Sequence, residues 1–219
     1  MRKTIFNNKK LGILIVITGA SGAGKDAVMD EFLKDPRLSG LNLKKVVTCT
    51  NRPPRPGETD GVQYHFLEDA KLRQMEAKGE LVEEITTTGT SAKATPKCEI
   101  ERLLKGENLV WRIDPSRAAE VATGNFFKRV FPQHVDLLQP RTMVLFITAP
   151  KEVIEERRRR RDLDKYNPAE YEARDSQEKP YLEILEKSAV SIENLDGRLN
   201  EAASAAVNSV INFYNNVKA

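Results

Sequence analysis

The run Gly19-Ala20-Ser21-Gly22-Ala23-Gly24-Lys25 has the G-x-x-x-x-G-K spacing of a phosphate-binding loop. Glycines let the backbone close around phosphate oxygens, the helix that follows presents N–H groups to them, and the lysine neutralises the outer phosphates. The next position of that pattern is a Ser or Thr whose hydroxyl binds Mg2+, and here it is Asp26. A carboxylate can ligate Mg2+ at that point or cap the helix N-terminus, and residue type alone leaves both readings open. A second group lies between Thr48 and Phe66, where Arg52 and Arg55 stand three apart in the turn Pro53-Pro54-Arg55-Pro56-Gly57 and Tyr64 follows nine residues later. Guanidinium forks and a phenol donor suit a phosphate monoester. The first group would hold a polyphosphate, the second a phosphorylated acceptor.

Both need a frame. Gly12 to Thr18, with Ile13-Leu14-Ile15-Val16-Ile17 unbroken by polar residues, reads as a strand buried on both faces, the mark of a parallel sheet. Asp26 to Leu33 has helical spacing and ends before Pro36. From residue 44 to 106 the texture turns to short β-branched runs and prolines, which reads as an inserted lobe. Strands resume at Asn108 to Ile113 and Thr142 to Thr148, each leading through Asp114-Pro115 or Ala149-Pro150 into a helix. Lys151 to Arg161 is an expected helix ending in five arginines, Asp162 to Glu170 a mobile loop, Tyr171 to Lys187 a helix, Val190 to Asn194 a strand and Glu201 to Val217 a covering helix. The fold class expected is therefore α/β, a parallel sheet of the P-loop NTPase type flanked by helices. Residues 1–43 and 107–219 form its core with a lid at about 157–175, and 44–106 form the lobe. Thr123 to Arg141 has no role legible from its residues.

Composition narrows the function classes. The chain has 219 residues, 40% hydrophobic and 31% charged, a globular balance. Its net charge of +3, from 35 basic and 32 acidic residues, is too small to argue for nucleic acid. The apolar run Leu11 to Thr18 falls far short of the roughly 20 residues that span a bilayer. Arg2, Lys3, Lys9 and Lys10 before that run mimic a secretory leader, but the residues after it make the better phosphate loop. Two cysteines, Cys49 and Cys98, give no disulfide framework, so a cytoplasmic setting is expected.

With these motifs in place, the chain resembles the guanylate kinase family. The likeness runs from the phosphate loop through R-P-P-R-P-G-E-x-D-G-x-x-Y-x-F, Gly79-Glu80-Leu81-Val82-Glu83, Thr95-Pro96 and Ile113-Asp114-Pro115 to the arginine helix. The resemblance implies transfer of the terminal phosphate of ATP to GMP with Mg2+. It implies that Gly19, Ala20, Ser21, Gly22, Ala23, Gly24, Lys25, Asp26 and Asn194 bind ATP, with Asp26 also the metal ligand. Arg52, Arg55 and Tyr64 would hold the GMP phosphate, and Thr48, Glu83 and Asp114 would read the guanine edge. Lys25, Arg52, Arg157, Arg161 and Arg174 would be the catalytic cations. On a helix Arg157 and Arg161 share a face, so those two should point inward and Arg158, Arg159 and Arg160 outward.

Departures from the family pattern touch the site. Aligned from Glu83 and Pro96, a tyrosine and a Ser or Thr of the family are replaced by Ala92 and Ala94, with Lys93 between them a compensating charge. Arg112 stands where the family often has an acidic residue, free to contact nucleotide or to pair with Glu83 or Glu84. Two other classes stay open on sequence: a divergent P-loop kinase acting on a sugar phosphate, and a non-catalytic guanylate-kinase-like binding module. No protein partner is indicated, and a monomer or small homo-oligomer is expected.

Overall fold

The computed structural model describes residues 11–88 and 91–218; Arg2, Lys3, Lys9, Lys10 and Thr90 lie outside them. Its elements are β1 (Leu14–Thr18), α1 (Lys25–Lys34), β2 (Lys44–Lys45), β3 (Thr48–Thr50), β4 (Tyr64–Phe66), α2 (Asp69–Ala77), β5 (Thr86–Thr88), β6 (Ser91–Ala94) and α3 (Lys97–Glu101). They continue with β7 (Leu109–Arg112), α4 (Pro115–Ala122), α5 (Asn125–Val130), α6 (Val135–Leu138), β8 (Thr142–Thr148), α7 (Lys151–Asp162), α8 (Pro168–Ser188), β9 (Val190–Glu193) and α9 (Leu199–Lys218). The chain divides into two compact units, one holding Lys44–Leu109 and the other Ile13–Leu43 with Val110–Ala219.

The larger unit is an α/β layer structure. Its strands stand in the order β7-β1-β8-β9. β1 pairs parallel with β8 from Leu14↔Thr142 to Thr18↔Phe146, and β8 pairs parallel with β9. All five residues of β1 are buried, as its unbroken apolar run demands. The core joins Ile13, Ile15 and Ile17 to Val28 and Phe32 of α1, Leu145 and Ile147 of β8, and Ala202, Ala206 and Val210 of α9. Small residues on α9 let that helix lie close against α1.

Thr123 to Arg141, without a role in the sequence, sends its aromatic residues into the core. Phe126 and Phe127 are fully buried, and Phe126 meets Trp111 of β7 with ring centroids 5.4 Å apart. Phe131 closes the group at 6.4 Å from both. The segment covers the β7 side of the sheet with aromatic rings. The expected mobile loop at Asp162 to Glu170 is shorter than anticipated. Asn167 caps α8 by accepting from the Ala169 N–H, and Pro168 takes the first helical position that its fixed φ favours.

The smaller unit is a four-stranded sheet in the order β4-β3-β6-β5. β3 and β4 are parallel, whereas β3–β6 and β5–β6 are antiparallel. Alternation gives it two faces. Cys49, Ala92 and Ala94 point inward and pack with Leu72 of α2. Thr48, Tyr64 and Lys93 point to the other side.

Phe126→Ala should lower stability by about 3–5 kcal/mol through the cavity it leaves. A thermal melt checks this. The Michaelis constants measured below the new melting temperature should stay unchanged, because the ring packs on Trp111, Phe127, Phe131 and the Arg129 guanidinium and not on the motif residues.

Candidate active site

The phosphate loop connects β1 to α1 and its shape depends on two glycines. A Cβ on Gly19 would sit 2.3 Å from the Ile147 carbonyl oxygen, and one on Gly24 would sit 2.3 Å from Asn194 Nδ2, with Gly24 at φ +84°. Neither position admits a side chain. Gly24 is the N-cap of α1, so Asp26 is not the cap that sequence allowed; it stands in the first turn. The orphan N–H groups of that turn, with the loop between Gly19 and Gly24, form a cradle for anions.

The loop is tied from behind by side chains on its carbonyl groups. Asn194 Nδ2 donates to the Ala23 oxygen at 2.8 Å, and Arg157 Nη1 donates to the same oxygen at 3.3 Å. Arg158 Nε donates to the Ser21 oxygen at 2.8 Å. Arg158 corrects the expectation for the arginine run: it is 2% exposed, whereas Arg161 is solvent-exposed and turned to Asp162 and Tyr171. Burial of that guanidinium is offset by a two-pronged pair with Asp175, at 2.6 and 2.7 Å, and by the Tyr171 ring 4.4 Å below it. The sequence signal is Ile154, one turn earlier on α7, which packs on the core and marks the inward face. Asn194, expected to bind ATP, braces the loop from behind.

Lys25 is half-buried, and burial pushes its ammonium below the ordinary lysine range. Asp26 and Glu178 act against that shift, and Arg112 and Arg174 act with it. Arg174 is exposed and bonded to Glu178 at 2.8 Å. Arg112 pairs with Asp26, with Nε 2.9 Å from Oδ1. Asp114 is exposed at the start of α4, where its carboxylate accepts from the Arg117 N–H at 3.0 Å.

In the smaller unit Arg52 is fixed by Glu58, whose two oxygens accept from Nη1 and Nη2 at 2.7 and 2.6 Å. Glu58 also accepts from the Arg55 N–H at 2.7 Å, so one carboxylate, unnoticed within the motif, organises the whole turn. The Arg55 side chain itself is exposed. Arg52 lies over the Tyr64 ring at 5.1 Å, and Lys93 lies 5.2 Å from the same ring with its Nζ 3.4 Å from the phenol oxygen. Thr48 is in register with Tyr64 and so faces the same side. Ala92 and Ala94, expected to line this face, are 1% and 2% exposed on the opposite one. Lys93, between them, lies on the side of Tyr64 and Arg52. Glu83 Oε1 accepts from the Thr95 N–H and hydroxyl at 2.9 and 2.8 Å, which fixes the direction of its carboxylate.

Each unit thus carries one of the two motif groups, the glycine loop with Lys25 in the larger and the Arg52–Glu58 turn in the smaller. The family profile for guanylate kinase matches residues 12–196. The chain belongs to the guanylate kinase family. It is 38% identical over 156 residues to the guanylate kinase of Gloeobacter violaceus, covering 70% of this chain and 67% of that one. It is 35% identical over 145 residues to that of Clostridium perfringens, covering 64% of each. The matched stretch therefore spans about two thirds of these relatives. The guanylate kinase of Anaplasma phagocytophilum shares the fold, with a TM-score of 0.55 at 18% identity over 92% of this chain and 86% of that one. No helix among the described residues is long and apolar enough to cross a membrane.

Two outcomes follow for the guanylate kinase frame. Arg158→Ala removes three donors and leaves Asp175 and the Ser21 carbonyl without them; stability should fall by about 2 kcal/mol, discounted because Asp175 is partly exposed. The melting temperature should drop by about 4–8 °C, and ATP should bind more weakly. Arg52 and the Arg55 N–H hold Glu58 down at about 2, below its ordinary 4.5. A depressed carboxylate stabilises above its unfolded value and loses that contribution as pH falls toward the folded one. Melting curves should show Glu58→Gln less stable than wild type above pH 5, with the gap closing between pH 4.5 and 2.

Proposed function

We propose that the chain transfers the terminal phosphoryl group of ATP to GMP, giving ADP and GDP. ATP lies on the Gly19 to Lys25 loop of the larger unit, which acts as the nucleotide core. The smaller unit is the acceptor lobe: Arg52, Arg55, Tyr64 and Lys93 take the GMP phosphate, and Thr48 and Glu83 read the base. The observation that carries this reading is Glu83. A carboxylate fixed by Thr95 is a directed acceptor for the ring N–H and exocyclic amine of guanine. Adenine mismatches that carboxylate, and a sugar phosphate has no such edge to offer it. Lys25, retained and half-buried at the loop, argues against a module that only binds proteins.

The acceptor oxygen belongs to an ionised phosphate, so no side chain needs to remove a proton from it. An oxygen of GMP forms the new bond to the terminal phosphorus as the bridge to ADP breaks, and charge spreads over the oxygens in flight. Lys25, Arg157, Arg161 and Arg174 stabilise that charge, and Arg52 holds the acceptor in line. Arg174 leaves Glu178 to do so, and Arg161 leaves Asp162.

Among the described residues no group of three or more His, Cys, Asp or Glu could cage a metal. A single carboxylate together with substrate phosphates nevertheless suits Mg2+, and Asp26, 65% exposed and beside Lys25, fits that use. Held there, Mg2+ would supply positive charge that neutralises the phosphates of the nucleotide.

A coupled assay for ADP with Mg-ATP and GMP, AMP, CMP, UMP or ribose phosphates tests the reading. Turnover should depend on GMP; turnover with ribose phosphate alone, or with none, overturns it. Lys25→Ala should lower kcat by about a thousandfold in folded protein. Glu83→Gln should raise the KM for GMP by about 10–100-fold and leave that for ATP within about twofold of wild type.

A further inference from the structure

Asp26 and Arg112 are both foreign to the pattern of the phosphate loop and its neighbours, and they meet each other. Asp26 Oδ1 and Arg112 Nε lie 2.9 Å apart, with side chains 65% and 42% exposed. An ion pair so open to water contributes little to folding, so stability does not explain it. Its position does. Asp26 is in the first turn of α1, where the cradle must receive a polyphosphate, and Arg112 is the last residue of β7, beside the strand that feeds the loop. Ile113 N–H donates to the Ile17 oxygen at 3.2 Å, which fixes the end of β7 against β1. Lys25 feels both charges, in opposite senses.

A lone carboxylate at this point would repel the incoming phosphates. We infer that Arg112 is a positioning residue of the ATP site, which holds the Asp26 carboxylate and cancels its charge so that the loop can bind polyphosphate. The two substitutions are one compensated exchange: the loop lost a neutral hydroxyl, gained an anion, and acquired the cation that screens it. Arg112 acts through Asp26 and not on the nucleotide itself. The inference rests on the assignment of ATP to this loop.

A double-mutant cycle read by equilibrium binding of ATP, by titration calorimetry in EDTA and again in Mg2+, separates the possibilities. Arg112→Ala should weaken ATP by ~10-fold in EDTA, from exposing one charge to the phosphates, with an unchanged melting temperature. Adding Asp26→Ser to Arg112→Ala should restore affinity to within about threefold of Asp26→Ser alone. Equal affinity of Arg112→Ala and wild type overturns the inference. So does an Arg112→Ala loss that Asp26→Ser leaves intact, because Arg112 would then contact nucleotide directly. If Arg112→Ala fails to fold, Arg112→Gln takes its place in the cycle. Wild-type protein that binds no ATP overturns the assignment of the loop, and the inference with it.

Discussion

A phosphate-binding loop must turn its N–H groups toward the ligand, and that leaves its carbonyl oxygens facing back into the protein. Those oxygens need donors, because a buried carbonyl without one costs about as much as a lost hydrogen bond. Here the donors are Arg158 to the Ser21 oxygen and Asn194 with Arg157 to the Ala23 oxygen. Much of the larger unit follows from supplying them. Asn194 needs β9 parallel to β8 at the edge of the sheet. Arg158 needs α7 to run behind the loop and α8 to present Asp175 and Tyr171 to a guanidinium that would otherwise be a buried unpaired charge.

The same constraint separates the arginines by task. Arg158 spends its donors on the frame. Arg157 is half-buried beside it, while Arg161 and Arg174 are exposed, each resting on a carboxylate of its own helix. A resting pair of this kind costs little to break, which suits cations that must transfer to a phosphoryl group. In the smaller unit Arg52 is different: the two-pronged contact with Glu58 and the Tyr64 and Phe66 rings hold it in one place before any ligand arrives. Under the proposed reaction, a fixed fork for the acceptor and loosely held cations for the transferred group would divide the work between orientation and stabilisation.

What could be read from the residues alone tracks how local the cause is. The β1 strand, the loop and α1 were legible because burial on both faces, glycine geometry and helical spacing are each written into a few adjacent residues. The family resemblance was legible for the same reason, since R-P-P-R-P-G-E is one turn. The buried member of Arg157 to Arg161 was not: periodicity states which residues share a face, but only packing states which face is inward, and Ile154 competes with Val153 as the marker. Thr123 to Arg141 was opaque because its partner, Trp111, lies on a strand elsewhere in the chain. The Asp26–Arg112 pair was missed because 86 positions of numbering separate two residues joined only by the adjacency of β7 and β1.

The alanines of β6 show the sharpest form of this limit. Alignment treats a strand as a line of positions, and on a line Ala92 and Ala94 take the place of two donors. A strand has a pleat, and a residue's meaning depends on its side as much as on its rank. Cys49↔Ala94 and Thr50↔Lys93 set the side: small residues go inward against Leu72, and the lysine goes outward toward Tyr64. Two methyl groups in the core and one ammonium at the surface are therefore a single solution, in which packing fixes the inward pair and thereby delivers a charge to the face that carries Tyr64 and Arg52. Under the proposed reading, that cation, one position over and on the side of Tyr64, stands in for the missing donors.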